Sequence, residues 1–94
     1  MDMQTKQEKT EKIALADLRK FSFVVGAKQL KKAVRARRVR SVFLAENADP
    51  AVTEPLEKLC IENHIPITWV SRMEDLGRAC GIEVGAAAAA VLIP

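Results

Sequence analysis

The last fourteen residues, GIEVGAAAAAVLIP (Gly81–Pro94), decide which fold this chain adopts. By intrinsic propensity the five alanines, Ala86 to Ala90, favour helix. Yet Gly85 precedes them and Val91-Leu92-Ile93 follows, and a strand buried on both faces also reads as an unbroken apolar run. Local rules leave both readings open.

The segments upstream alternate in type. A weak helical pattern (Ile13, Leu15, Leu18) leads into the β-favouring run Phe21-Ser22-Phe23-Val24-Val25, closed by Gly26. From Ala27 to about Ala36 the apolar Leu30, Ala33 and Val34 fall on one helical stripe. Ser41 to Ala45 is strand-like again. Asp49-Pro50 supplies an N-cap followed by proline in the first helical position, and Val52, Leu56, Leu59 and Cys60 share a face of the helix that ends near Asn63. Ile65 to Val70 reads as a third strand, with Pro66 limiting pairing at its start. Ser71 and Glu74 match a capping box, opening a helix that runs to Cys80 and stops at Gly81. Strand and helix in regular alternation predict an α/β fold, a three-layer α/β/α sandwich around a small central sheet.

At 94 residues the chain has room for one domain. Residues 13–94 are read as that domain and residues 1–12, MDMQTKQEKTEK, as a polar N-terminal tail that lacks the apolar core of a signal peptide. No stretch is long and apolar enough for a membrane span. Cys60 and Cys80 are too few for a disulfide framework and lack metal-ligand spacing, which favours a reduced, cytoplasmic setting.

Charge is distributed unevenly. Residues 21–40 carry seven basic and no acidic groups, whereas residues 41–94 carry three basic and eight acidic ones. Charged residues on a helix are usually only its wet face. Here Lys28, Lys31, Lys32 and Arg35 gather opposite the apolar stripe with no Asp or Glu to offset them. Each like-charge pair at i,i+4 costs roughly 0.2–0.5 kcal/mol. Lys28 also sits in the first turn, where the helix dipole disfavours a cation by about 0.3–1 kcal/mol. A phosphate backbone would remove these penalties, and free N–H groups behind Gly26 would add to its capture. Arg37, Arg38 and Arg40 extend the patch as general attraction. Gln29 is uncharged and offers both a donor and an acceptor, so it suits base edges. Aromatics are only 4% of residues, which argues against stacking-based single-strand binding.

Other chemistry is thin. His64 has no second ligand in sight and reads as a boundary residue; Cys60 lies on the apolar stripe. No phosphate-binding loop, dinucleotide fingerprint or purposeful carboxylate pair appears, so no enzyme activity, cofactor or metal is expected. Ile82-Glu83-Val84 follows a helix-ending glycine and is placed in a loop.

The motifs Gly26-Ala27-Lys28-Gln29-Leu30-Lys31-Lys32, Ala45-Glu46-Asn47-Ala48-Asp49-Pro50 and Leu76-Gly77-Arg78-Ala79-Cys80-Gly81-Ile82-Glu83-Val84-Gly85-Ala86 occur in this order after successive strands and a helix. Together they resemble the L-seven-Ae family of ribosomal and kink-turn RNA-binding proteins, in particular its small stand-alone bacterial members. The resemblance implies a mixed four-stranded sheet with the alanine run as its last strand. It also implies a monomer that binds structured RNA containing a kink-turn, a bent internal loop with tandem sheared G·A pairs, with no DNA specificity. Gly26, Ala27, Lys28, Gln29, Lys31, Lys32 and Arg35 would then form the RNA-binding helix, and Ile82, Glu83 and Val84 the loop covering the bulged bases. The archaeal motif reads Gly-Thr-Asn-Glu, whereas Gln29 presents a neutral acceptor; charge-assisted bonds are roughly twice as strong, so base-specific affinity should be weaker. The resemblance leaves open the natural RNA and permanent ribosome membership. The alternative is a protein-interaction adaptor docking through the acidic helix around Glu54, Glu57 and Glu62.

Overall fold

The alanine run is a strand, and it occupies an inner position in the sheet. The computed structural model describes residues 13–94; the expected tail, residues 1–12, lies outside them. A 3-10 helix (Leu15–Lys20) precedes β1 (Phe23–Val25), α1 (Ala27–Arg35), β2 (Val39–Ala45), α2 (Pro50–Glu62), β3 (Ile67–Val70), α3 (Met73–Cys80) and β4 (Ala88–Leu92). The sheet order is β1-β4-β2-β3, with β4 antiparallel to both neighbours and β2 parallel to β3. The sheet is therefore mixed and four-stranded, as the family resemblance implies.

Because β4 has a neighbour on each side and a layer on each face, tertiary burial overrides the helical preference of alanine. Ala88 and Ala90 face one core with Leu30 and Val34 of α1, Leu56 and Cys60 of α2, and Val42 and Leu44 of β2. Ala89 and Val91 face the other, with Leu18 of the 3-10 helix, Phe43, and Leu76 and Cys80 of α3. This is the α/β/α sandwich. Leu30, Leu56 and Leu76 are fully buried, each contributing about 1.5–3 kcal/mol.

Three local expectations change. The inward stripe of α2 is Thr53, Leu56 and Cys60, while Val52 is exposed. β2 begins two residues early, and a bulge at Arg40 separates Val39, paired with Leu92, from Ser41, paired with Val91. The extra residue lets Val39 and Val42 enter the same core, which breaks the alternation a strand normally shows. Third, the Ser71 capping box does not form. Ser71 is exposed, Arg72 occupies the N-cap without a side-chain bond, and the cap comes from Asn47, whose Oδ1 accepts the Met73 N–H at 2.8 Å.

All three α-helices stop in the same way. Arg37, His64 and Gly81 adopt positive φ. Their N–H groups bond to Val34, Ile61 and Arg78, and those of Arg38, Ile65 and Ile82 bond to Ala33, Cys60 and Gly77. This paired bonding is the Schellman arrangement. His64 thus ends α2.

Candidate nucleic-acid interface

The strand register gathers the connections at one end of the sheet. Val25 lies opposite Ala89, Leu44 opposite Ala88, and Ala45 opposite Val70. The exits of β1, β2 and β3 therefore meet the entrance of β4. Hydrogen bonds tie them: Gly26 N–H to Ala88 O at 2.8 Å, Ala45 N–H to Ala87 O at 2.9 Å, and Glu46 N–H to Val70 O at 2.7 Å. Since each helix follows its strand closely, all three N-termini open at this end.

Two of those N-termini are neutralised locally. Asp49 Oδ1 accepts the Ala51 N–H at 2.9 Å at the start of α2. α3 has the Asn47 cap and carries Glu74 and Asp75 in its first turn. A bond to its own backbone N–H, with help from Arg72, holds the Glu74 carboxyl below its ordinary pKa. The α1 terminus differs. Its N-cap is Gly26, with no side-chain bond and no acidic residue in the first turn. The first helical bond runs from Leu30 N–H to Gly26 O, so the N–H groups of Ala27, Lys28 and Gln29 are left for another partner. Gly26 has φ 100° and ψ 155°, a region that only glycine adopts readily.

Along α1, Lys28, Gln29, Lys32 and Arg35 are exposed and Lys31 is half-buried. The ion pairs among the described residues are Lys20–Asp17, Arg72–Glu74 and Arg78–Asp75; none involves α1. At about 100° per residue, Lys31 turns to the flank of α1 opposite Gln29. Lys28 and Gln29 occupy the open end, Lys32 lies a turn further along, and Arg35 is the last helical residue. The basic face is thus a track running away from the open end.

The loop between α3 and β4 returns to that end along α3. Ala86 N–H bonds to Met73 O at 3.0 Å, and the Val84 carbonyl lies so close to Gly77 that a Cβ there would overlap it. This backbone contact turns the Ile82 and Val84 side chains outward, 37% and 69% exposed. With Glu83, Glu74 and Arg78 they line a shallow groove of about 290 Å³. Through Gly85 and Ala86, which lie against Met73, this loop returns to the end of the molecule that holds Gly26–Gln29, on the opposite face of the sheet.

Arg40 does not extend the α1 face. The bulge turns its guanidinium onto the other layer, 5.1 Å from the centre of the Phe21 ring. Arg38 instead joins Gln29 and Lys32 around a groove beside α1. Cys60 is fully buried, and burial pushes its thiol up to about 11, while His64 is an exposed helix stop. Such a thiol stays protonated at neutral pH. No cluster of metal-ligating side chains occurs among the described residues. Asn47 and Gly77 support the loop through tertiary contacts that leave no periodic or local signature in the sequence.

A small α/β/α sandwich with one carboxylate-free helix terminus and an adjacent aliphatic loop defines a compact ligand-binding domain. The chain belongs to the ribosomal protein L7Ae/L30e/S12e/Gadd45 family, whose model matches residues 8–94. It is 44% identical over 72 residues to an RNA-binding protein of Bacillus pumilus, covering 77% of this chain and 88% of that protein. To an RNA-binding protein of Caldanaerobacter subterraneus it is 46% identical over 70 residues, covering 74% and 85%. Its fold is similar to that of a 15.5 kD RNA-binding protein of Giardia lamblia, with TM-score 0.73, 26% identity, and coverage of 85% of this chain and 66% of that one.

Proposed function

We propose that this protein binds RNA without catalysing a reaction, and that it recognises and stabilises the bent form of a kink-turn. The observation that carries the reading is the shared location of two features. The N-terminus of α1 offers unpaired N–H groups together with Lys28 and Gln29, and the exposed Ile82-Glu83-Val84 loop runs along α3 back to the same end. Phosphates satisfy the former, and extruded bases suit an aliphatic cover. The RNA-binding character of the bacterial relatives and of the Giardia protein, by their names, supports RNA as the ligand class.

In this reading Lys28 and Lys32 meet backbone near the sheared G·A pairs and Gln29 meets a guanine edge. Lys31 and Arg35 add field, and Ile82 and Val84 cap unpaired bases. Preferential binding of the bent conformer shifts a flexible RNA towards it. The protein acts as a cytoplasmic monomer, and association with the ribosome fits the family. A gel-shift comparison tests the reading: replacing the sheared pairs by Watson–Crick pairs should abolish most of the affinity. Unchanged affinity would refute it.

One observation favours a second reading. Pro50, Thr53, Glu54 and Glu57 of α2 face the exposed Trp69 across a groove of about 460 Å³ that also takes in Glu46, a surface suited to an adaptor role. Amide shifts confined to these residues on adding RNA would favour it.

A further inference from the structure

A groove opens beside α1, on its β1 side. Its floor is Val24, Ala33 and Leu92, its rim is Gln29, Lys32 and Arg38, and its volume is about 220 Å³. Two features keep it open. β1, which forms its wall, is a three-residue edge strand with no neighbour on its outer side. Between Lys32 and Arg38 it is lined by the small Ala33 of α1 and Ala36 just past the helix end. Its rim carries two cations and no carboxylate, and neither cation is in an ion pair among the described residues. Arg38 is fixed at the far end. Its N–H bonds to Ala33 O at 3.1 Å, and its carbonyl accepts the Ile93 N–H at 2.7 Å.

The geometry points to this groove as a seat for the sugar-phosphate backbone of the duplex stem leading out of the bend, with Arg38 holding a phosphate beyond those reached by Lys28 and Lys32. From Gln29 to Arg35 the helix rises about 9 Å, and Arg38 lies beyond its end, so the track spans more than one nucleotide. The chemistry suits backbone and not bases: an apolar floor accepts ribose, and a planar guanidinium matches a phosphate in two-pronged fashion. Arg40 faces the other layer, so the distal contact falls to Arg38 and not to diffuse positive charge. The inference rests on the RNA-binding reading above and on its bend only for the choice of stem.

The test uses two RNAs with the same bend, one with a long stem and one trimmed back to the G·A pairs, titrated by fluorescence anisotropy against the wild type and Arg38→Ala. The variant should lose about two- to fivefold in affinity for the long-stem RNA, with a log-affinity against log-salt slope smaller by about 0.7–0.9. It should bind the trimmed RNA as the wild type does. Equal losses on both RNAs, or none on either, overturn the groove and leave the bend reading standing. Binding that ignores the G·A pairs yet still weakens on the long stem overturns only the bend reading and supports the groove. Absence of RNA binding by the wild type overturns both. Arg40→Ala, whose side chain lies on the other layer, should show no dependence on stem length; a dependence equal to that of Arg38→Ala overturns the groove.

Discussion

Asn47 and Met73 are 26 residues apart, yet Asn47 Oδ1 accepts the Met73 N–H at 2.8 Å. The carbonyl of the same Met73 takes the Ala86 N–H. One side chain in the β2–α2 connection thus sets the start of α3 and, through it, the loop carrying Ile82 and Val84. Asn47→Ala should cost about 0.5–2 kcal/mol, as the loss of an N-cap does, and should weaken RNA binding although no charge changes. Asn47→Asp keeps the acceptor and should recover most of the stability in urea unfolding. If the aspartate variant is as unstable as the alanine one, Asn47 is not acting as a cap.

Lys32 and Gln29 should fail in different ways. Lys32→Ala removes a backbone contact, so affinity should fall for all RNAs and the salt slope should shrink by about 0.7–0.9. Gln29→Ala should leave the slope unchanged and reduce discrimination between sheared and Watson–Crick pairs by about 1 kcal/mol, the low end for a base-edge contact. Parallel titrations over a salt series separate the two. Identical behaviour of the variants would show that Gln29 does not read bases.

Sequence periodicity was sufficient for the helices, because Leu30 and Val34, or Leu56 and Cys60, repeat at helical spacing on a face that packs inward. It was insufficient for Ala86 to Ala90, whose strand state depends on neighbours on both edges and both faces. The early start of β2 was hidden because the bulge at Arg40 interrupts alternation. Ser71 matched a cap motif that lost to Asn47, a competitor distant in sequence. The cationic face of α1 was legible because charge needs no neighbours to be counted. The separation of Arg38 from Arg40 was not, since it depends on which layer each side chain enters.

Gly26 has open space around the position of a Cβ, but its φ is 100°. Backbone conformation, not crowding, requires glycine there. Gly26→Ala should therefore cost about 1–3 kcal/mol or force a rotation that loses the bond to Ala88 O. In either case the free N–H groups of α1 are displaced. Chemical denaturation and RNA titration should both register the change; full stability with full affinity would remove Gly26 from the site.

Arg37 holds φ 58° at the end of α1, where glycine is usual. Left-handed conformation costs a side-chain-bearing residue roughly 1–2 kcal/mol. Loss of a cation near the helix C-terminus costs about 0.3–1 kcal/mol. Arg37→Gly should therefore stabilise the fold by about 0.5–1 kcal/mol, a rise in Tm of about 2–6 °C. A lower Tm would mean that the guanidinium supports the helix end more than its backbone strain opposes it.

Cys60 gives the fold an alkaline limit. The thiol has an ordinary pKa of 9.0 and is pushed to about 11 by burial between α2 and the sheet. The folded state therefore favours the protonated form. That contribution is whole below pH 9 and is lost as pH rises through 11, because the unfolded chain releases the proton first. A shift of about two units corresponds to about 2–3 kcal/mol. Burial raises the Cys80 thiol as well, so it acts in the same direction. The thiol's share is isolated by comparing the wild type with Cys60→Ala under reducing conditions. Between pH 8 and pH 10.5 the wild type should lose about 2 kcal/mol more unfolding free energy than the variant. Equal losses in the two proteins would show that the thiol ionises as readily in the fold as in the unfolded chain.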